Sequence, residues 1–364
     1  MKINETFWTG KRVLVTGHTG FKGSWLSLWL SKLGANVCGV ALAPETELNL
    51  YDLVQVDSVV DSYFVDINDA KKLSEVFSVF RPEIVLHLAA QALVRESYQH
   101  PIKTFSTNVL GTLNVLEACR RCNSVAAIVV VTTDKCYENK EWHWGYRETD
   151  PLGGYDPYSA SKACAEIATN SWRMSFMGES GIDDNHIAVA TARAGNVIGG
   201  GDWAQDRLVP DLIKAISENR DVVLRNPEAM RPWQHVLEPL SGYLMLAEKL
   251  FSEGDAWASA WNFGPNDTDV KSVAWIAEKL IEKFDSNSRW TLDSSLQPHE
   301  ATYLKLDCSR ANQVLGWKPV WSLDTCLDQI VGWELERTRH SGEAVKKITY
   351  EMIERYELSL SVRD

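Results

Sequence analysis

The chain has 364 residues, 45% hydrophobic and 24% charged, the balance of a folded globular protein and not of a disordered one. Its formal net charge of −12 argues against non-specific nucleic-acid binding, and no run of about 18 apolar residues is present to span a membrane. Seven cysteines, an odd number scattered along the chain, point to reduced thiols in a cytoplasmic protein, and the opening Met1-Lys2-Ile3-Asn4-Glu5-Thr6 lacks the apolar stretch of a secretory signal.

Taken in order, Arg12-Val13-Leu14-Val15-Thr16 reads as a buried strand, followed by a glycine-rich turn and a helix carrying Trp25, Leu26, Trp29, Leu30 and Leu33. Further strands are expected at 36–42, 63–66, 83–90, 126–132 and 187–193, with a helix over 71–80. Short apolar runs separated by helical patterns mean βαβ units and a parallel sheet covered on both faces. Beyond about 195 the strands thin out, and helices are expected near 208–218, 239–251 and 270–284. The fold class is therefore α/β: a Rossmann-like doubly wound parallel sheet in 1–195 and a smaller α/β substrate-binding domain in 196–364, with the chain interleaved between them.

Gly17-His18-Thr19-Gly20-Phe21-Lys22-Gly23 lies directly between the first strand and the first helix. Glycines there let the backbone turn sharply and approach a pyrophosphate seated on the helix N-terminus. A glycine triplet alone is weak evidence; its place in a βαβ unit makes it a dinucleotide signature. After strand two, Ala41-Leu42-Ala43-Pro44 offers neither an acid for ribose hydroxyls nor a cation for a 2′-phosphate, though Glu45 and Glu47 follow. NAD is favoured over NADP, against which stand His18 and Lys22 as cations able to meet added negative charge. Asp66 and Ile67 are placed to meet the adenine, against the alternative that Asp66 only caps a turn.

Tyr158-Ser159-Ala160-Ser161-Lys162 opens a helix, and residues four apart share a helix face. A lysine beside a phenol favours the phenolate, moving a pKa near 10 towards neutrality. The glycine turn, Leu88-Ala89-Ala90, Thr132-Thr133 and the Tyr158/Lys162 pair together resemble the extended short-chain dehydrogenase/reductases over nearly the whole chain. That resemblance implies NAD on the N-terminal sheet, bounded by Leu88, Ala89, Ala90, Asn108 and Thr132. It also implies Tyr158 as catalytic base, Lys162 on the nicotinamide ribose, and Thr133 on the sugar C4 hydroxyl.

Asp134 and Lys135 follow Thr133 directly. An epimerase needs only the threonine, tyrosine and lysine; two more ionisable groups offer a second proton-transfer site, which loss of water requires. The plainer reading makes Asp134 a turn cap and Lys135 a solvated loop residue. The segment resembles the sugar-nucleotide 4,6-dehydratases, whose common pattern is Thr-Asp-Glu. Lys135 departs from it, although an Asp-Lys form occurs in the family. The longer runs Gly153-Gly154-Tyr155-Asp156-Pro157, Arg231-Pro232-Trp233-Gln234-His235-Val236 and Gln297-Pro298-His299-Glu300 look like the branch acting on CDP-glucose. That resemblance implies a redox-neutral cycle yielding a 4-keto-6-deoxy sugar for deoxysugar (O-antigen, lipopolysaccharide) biosynthesis. Asp134 would be the acid; which of Asp134 and Lys135 is the base stays open on the residues alone.

For the substrate, the resemblance places Asn196 on the diphosphate and Arg231 on phosphate or ribose, where a planar guanidinium suits bidentate contact. Arg193, Arg207, Gln91 and His299 are further candidates, His299 standing where relatives carry an arginine. Cys119-x-x-Cys122 has no second pair, so no metal is expected, and most of the fifteen tryptophans are packing residues. The partner is a small sugar nucleotide such as CDP-glucose, with no nucleic acid and no membrane. By resemblance the chain forms a homodimer or dimer of dimers through the Tyr158 helix and the one over 108–118. The rival readings are a UDP-N-acetylhexosamine or dTDP-glucose dehydratase, a 4-epimerase, and a non-catalytic dinucleotide sensor.

Overall fold

The computed structural model describes residues 3–178, 181–182, 186–293, 295 and 301–361. Six strands, β1 (Arg12–Thr16), β2 (Asn36–Ala41), β3 (Asp61–Phe64), β4 (Ile84–His87), β5 (Ala127–Val131) and β6 (Ala188–Ala194), are joined by a seventh, β7 (Ala260–Phe263). They form one parallel sheet in the order β7-β6-β5-β4-β1-β2-β3. Strands β4, β5 and β6 are buried along their whole length, as a sheet covered on both faces requires. β3 is the partly exposed edge. It ends two residues earlier than the apolar run suggests, because pairing with Cys38–Ala41 of β2 fixes its register at 61–64.

Helices α1 (Phe21–Lys32), α2 (Ala70–Phe80), α3 (Thr112–Arg121) and α4 (Pro157–Trp172) cover the sheet. In the later chain lie α5 (Leu208–Ser217), α6 (Leu237–Glu253), α7 (Val273–Lys283), α8 (Leu323–Arg339) and α9 (Glu343–Ser361). β7 lies beyond residue 195 yet completes the large sheet, so the chain crosses between lobes and returns. β7 is easily missed in sequence: Ala-Trp-Asn-Phe is four residues with a polar third position. Asn262 is buried because its amide bonds the Tyr146 and Asp307 carbonyls and accepts from Tyr137.

Among the described residues, the later chain carries three two-stranded ribbons, among them Met230–Pro232 against Val270–Ser272, and a separate apolar core of α5, α7 and α8. The C-terminal helix α9 folds back onto α1, where Trp29 Nε1 and Lys32 Nζ both donate to the Glu357 carboxylate at 2.8 Å. Trp8, Trp25, Trp29, Trp261, Trp317 and Trp333 are all fully buried, which makes these six packing residues. Among the described residues, no helix is long and apolar enough to cross a membrane, and no group of three His, Cys, Asp or Glu converges as a metal site.

Candidate active site

Strand order reverses between β1, which leads on to β2, and β4, which leads on to β5, so a crevice opens at the strands' C-terminal ends. The glycine turn occupies it. Gly17 has φ +76°, and a Cβ there would stand 2.8 Å from the Ala89 amide nitrogen; a Cβ at Gly23 would stand 2.0 Å from the Gly17 carbonyl. Gly20 is exposed and forms the N-cap of α1 without a capping side chain. The first-turn N–H groups therefore face the crevice unclaimed by any side chain, which is the provision an anion needs. Leu88, Ala89 and Ala90 form the opposite wall, held by Leu88 and Ala89 N–H bonds to Thr16 Oγ1.

Several residues assigned to this cradle do other work. The His18 ring is buried against Gly39 and bonded to Ser62, and burial lowers its pKa to about 4, so it brings no positive charge to a ligand. Thr19 donates to the Leu42 carbonyl at 2.9 Å. Asp66 is exposed and caps its own turn through Asn68, while Ile67 is buried against Gly111. Asn108 is saturated: Oδ1 accepts from Gln91 N–H, and Nδ2 donates to the Gln91 carbonyl and Ser161. The Gln91 side chain is likewise spent on Leu93 and Thr104, so neither it nor Asn108 is free for a ligand. Phe21 lies against Gly199.

The catalytic candidates do converge. Asp156 caps α4 by accepting from Ser159 N–H at 2.9 Å, and Pro157 begins the helix, so Tyr158 and Lys162 share the face turned to the end of β5. Lys162 Nζ donates to the Val131 carbonyl at 3.2 Å. Thr133 caps the single turn Asp134–Cys136 and donates to Asp134 Oδ1 at 3.0 Å. Asp134 is 2% exposed, and its Oδ2 has no hydrogen-bond partner among the described residues. Burial raises its pKa, against the pull of Lys135, Thr133, Arg231 and Lys22. A buried carboxyl with one uncommitted oxygen and a raised pKa is a candidate proton donor.

The expectation that Lys162 draws the phenol towards neutrality is not met. Burial dominates and pushes Tyr158 up to about 12, with the Thr133 hydroxyl and the Arg207 guanidinium opposing it. Burial also holds the Lys162 ammonium down to about 8. Lys22 enters the same cluster, lowered to about 7 by burial and by repulsion from Arg207 and Lys162. Expected at the coenzyme, Lys22 stands near Asp134 as well. Lys135 is half-buried beside Asp134.

On the substrate side, Asn196 is half-buried, and its side chain makes no hydrogen bond among the described residues, leaving its amide available to a ligand. Arg231 is buried on its ribbon, where Nη1 donates to the Met230 and Thr302 carbonyls, and its charge is felt at Asp134. Arg207 pairs with Asp202 at 2.9 Å and its charge reaches Tyr158. His299 lies outside the described residues. Arg193 is the clear correction. It is 3% exposed, locked to Glu166 Oε2 at 2.7 Å and to Tyr137 OH at 2.8 Å, behind the site and unavailable to substrate. The Thr132 side chain also points backwards, donating to Glu166 rather than facing a coenzyme. Sequence reasoning missed Glu166, although its spacing of four from Lys162 was the signal.

A family model described as GDP-mannose 4,6 dehydratase matches residues 14–330. The chain is 52% identical over 331 residues to a CDP-glucose 4,6-dehydratase of Salmonella typhimurium, covering 91% of this chain and 92% of that protein. It is 26% identical to a probable dTDP-glucose 4,6-dehydratase of Sinorhizobium fredii, over 89% and 93% of the two chains. Among solved structures, a UDP-glucose 4-epimerase of Thermotoga maritima superposes with a TM-score of 0.78 at 22% identity, covering 90% and 99% of the two chains. A dTDP-glucose 4,6-dehydratase of Streptomyces venezuelae, solved with NAD bound, gives 0.75 at 22% identity, over 89% and 97%. With the matched segment running from β1 to α8 and the site assembled within it, the chain belongs to the GDP-mannose 4,6 dehydratase family.

Proposed function

We propose that this protein is a cytoplasmic sugar-nucleotide 4,6-dehydratase that converts CDP-D-glucose to CDP-4-keto-6-deoxy-D-glucose with NAD, for deoxysugar synthesis. The observation that carries the reaction type is Asp134, buried beside Thr133 and Tyr158 with Oδ2 uncommitted. Epimerisation at C4 has no use for that group. CDP-glucose is preferred because the relative sharing 52% of its residues carries that name. NAD fits the open helix N-terminus and the crowded glycines of the turn. When bound, the coenzyme would supply the redox capacity, as hydride acceptor for C4 and hydride donor for C6.

The chain supplies the protons. Tyr158 Oη takes the proton of the C4 hydroxyl, with Thr133 orienting that hydroxyl. The phenolate this requires is supported by Arg207 and opposed by Asp134 only when Asp134 is ionised. Burial disfavours the Asp134 charge and so weakens that opposition, while the burial of Tyr158 itself works against the phenolate. Once C4 is a ketone, the C5 hydrogen is acidic. Lys135 Nζ takes it, Asp134 Oδ2–H protonates the C6 hydroxyl, which leaves as water, and the proton held by Lys135 returns to C5 when the hydride is restored at C6. Asn196, Arg207 and Arg231 hold the diphosphate and ribose, in a division of labour with coenzyme in 1–195 and sugar nucleotide in 196–364. The seven free cysteines suit a reducing compartment. A second copy packs on α4 and the turns that precede α3 and follow α4, where Ile102, Leu110, Ile167 and Met174 are exposed.

The test is one turnover assay with CDP-D-glucose and added NAD, read by mass spectrometry of the sugar. Loss of one water with a base-induced ultraviolet absorbance is expected. Unchanged or C4-inverted sugar refutes the dehydratase reading, and preference for a dTDP-, GDP- or UDP-sugar refutes the nucleotide.

A further inference from the structure

The catalytic residues sit on two different supports. Tyr158 and Lys162 ride on α4, a sixteen-residue helix. Thr133, Asp134 and Lys135 ride on a short connector leaving β5, with a single helical turn of three residues. The sugar's C4, C5 and C6 must meet both sets at once, so the spacing between the supports is part of the catalyst.

One buried ion pair joins them. Glu166 follows Lys162 by four residues, on the same face of α4 and about 6 Å further along the axis. Its Oε1 accepts from Thr132 Oγ1, the residue just before Thr133. Its Oε2 accepts from Thr191 Oγ1 and from Arg193 Nη2, both at 2.7 Å. Arg193 then reaches forward to the far end of the connector. Its Nη1 donates to Tyr137 OH at 2.8 Å, and the guanidinium carbon lies 4.8 Å from the centre of the Tyr137 ring. The connector 132–137 is thus gripped at its first residue by Glu166 and at its last by Arg193. The two grips are bonded to each other with both side chains 3% exposed.

We propose that Glu166 and Arg193 are positioning residues that set the distance between the acid/base connector and the Tyr158/Lys162 helix; the inference rests on the dehydratase reading above. Neither touches substrate. Thr191 offers the internal control, because it gives Glu166 the same kind of hydrogen bond from β6 without touching the connector. A merely structural carboxylate responds alike to loss of either threonine; a positioning one does not.

The experiment compares Thr132→Val, Thr191→Val and Tyr137→Phe with wild type in the complete enzyme with CDP-D-glucose and NAD. Each variant is read for melting temperature, kcat, KM and the ratio of C4 oxidation to water elimination. Oxidation is followed by the near-ultraviolet absorbance of reduced coenzyme in a single turnover, and elimination by mass spectrometry. Thr132→Val and Tyr137→Phe are expected to lower kcat by roughly tenfold to a hundredfold with little change in KM, and to raise the ratio. Elimination uses Asp134 and Lys135, both on the loosened connector, whereas oxidation draws only Thr133 from it and Tyr158 stays on its helix. Thr191→Val is expected to melt early by a similar amount and keep the wild-type ratio. Equal ratios in all three variants, or a change in Thr191→Val as large as in Thr132→Val, overturn the positioning role. A wild type that oxidises the sugar nucleotide but never eliminates water overturns the dehydratase reading instead.

Discussion

Replacing Asp134 with asparagine tests the proposed mechanism at its most exposed point. The amide keeps the shape and still accepts from Thr133, the one hydrogen bond the carboxylate makes through Oδ1, but it has no proton to give. A positioned general acid contributes about 10²–10⁴ in rate, equivalent to about 3–5 kcal/mol of barrier. That whole loss falls on departure of the C6 hydroxyl. C4 oxidation depends on Tyr158 and Thr133, and since burial already disfavours the Asp134 charge that opposes the phenolate, it changes by no more than about threefold. In deuterated water, Lys135 continues to exchange the C5 hydrogen, so recovered CDP-glucose gains deuterium while almost no keto sugar forms. Stability moves the other way. Burial raises the Asp134 pKa, so at neutral pH the site penalises the ionised side chain, and the neutral amide melts at or above the wild-type temperature. Equal losses of C5 exchange and product, or an early-melting variant, refute the assignment of Asp134 as a buried acid.

Gly17→Ala places a Cβ 2.8 Å from the Ala89 nitrogen at φ +76°, so calorimetric NAD binding should be lost together with about 1–3 kcal/mol of stability; undiminished NAD affinity refutes the cradle. Lys162→Met should stabilise and inactivate. A lysine held at about 8 instead of 10.5 carries about 3 kcal/mol of penalty, partly offset by about 1 kcal/mol for the lost bond to the Val131 carbonyl. Because the folded pKa is depressed, the penalty is complete below about pH 8 and relieved as pH rises from there towards 10.5. The variant's advantage in chemical denaturation should therefore shrink over that interval, and an advantage constant with pH refutes the buried charge. Ile167→Glu, on the exposed face of α4, should convert dimers to monomers in sedimentation; an unchanged mass refutes that interface.

The sheet was legible because its buried strands are short apolar runs, and the glycine turn because close backbone approach leaves no alternative residue. The Tyr158/Lys162 pair showed in the sequence as a spacing of four at the start of a helix after a dinucleotide half-domain, whereas the role of Asp134 came from the resemblance and not from spacing. What sequence does not reveal is which way a polar side chain turns. Asn108, Gln91, Thr132 and Arg193 have the donors and acceptors of binding residues, yet each spends them inside the protein. Arg193 carried a usable clue. Thr191 and Arg193 are two apart in a strand and so share a face, and a fully buried arginine on that face demands a carboxylate, which Glu166 supplies from α4.

The buried charges of this site fall into two kinds, and the difference separates support from chemistry. Glu166 and Arg193 are neutralised by each other and hydrogen-bonded on several sides, so removing either strands its partner, a loss of about 3–5 kcal/mol. Asp134, Lys22 and Lys162 are the reverse. Burial pushes each towards its neutral form, with no ion pair of comparable quality among the described residues to hold it charged. Natural proteins break the rules of burial at functional sites, and lysines held at about 7 and about 8 can move a proton near neutral pH. Substituting the first kind should weaken the fold and blur the site, whereas substituting the second should strengthen the fold and abolish the reaction. A protein in which both kinds responded alike would have no need of the scaffold that holds them apart.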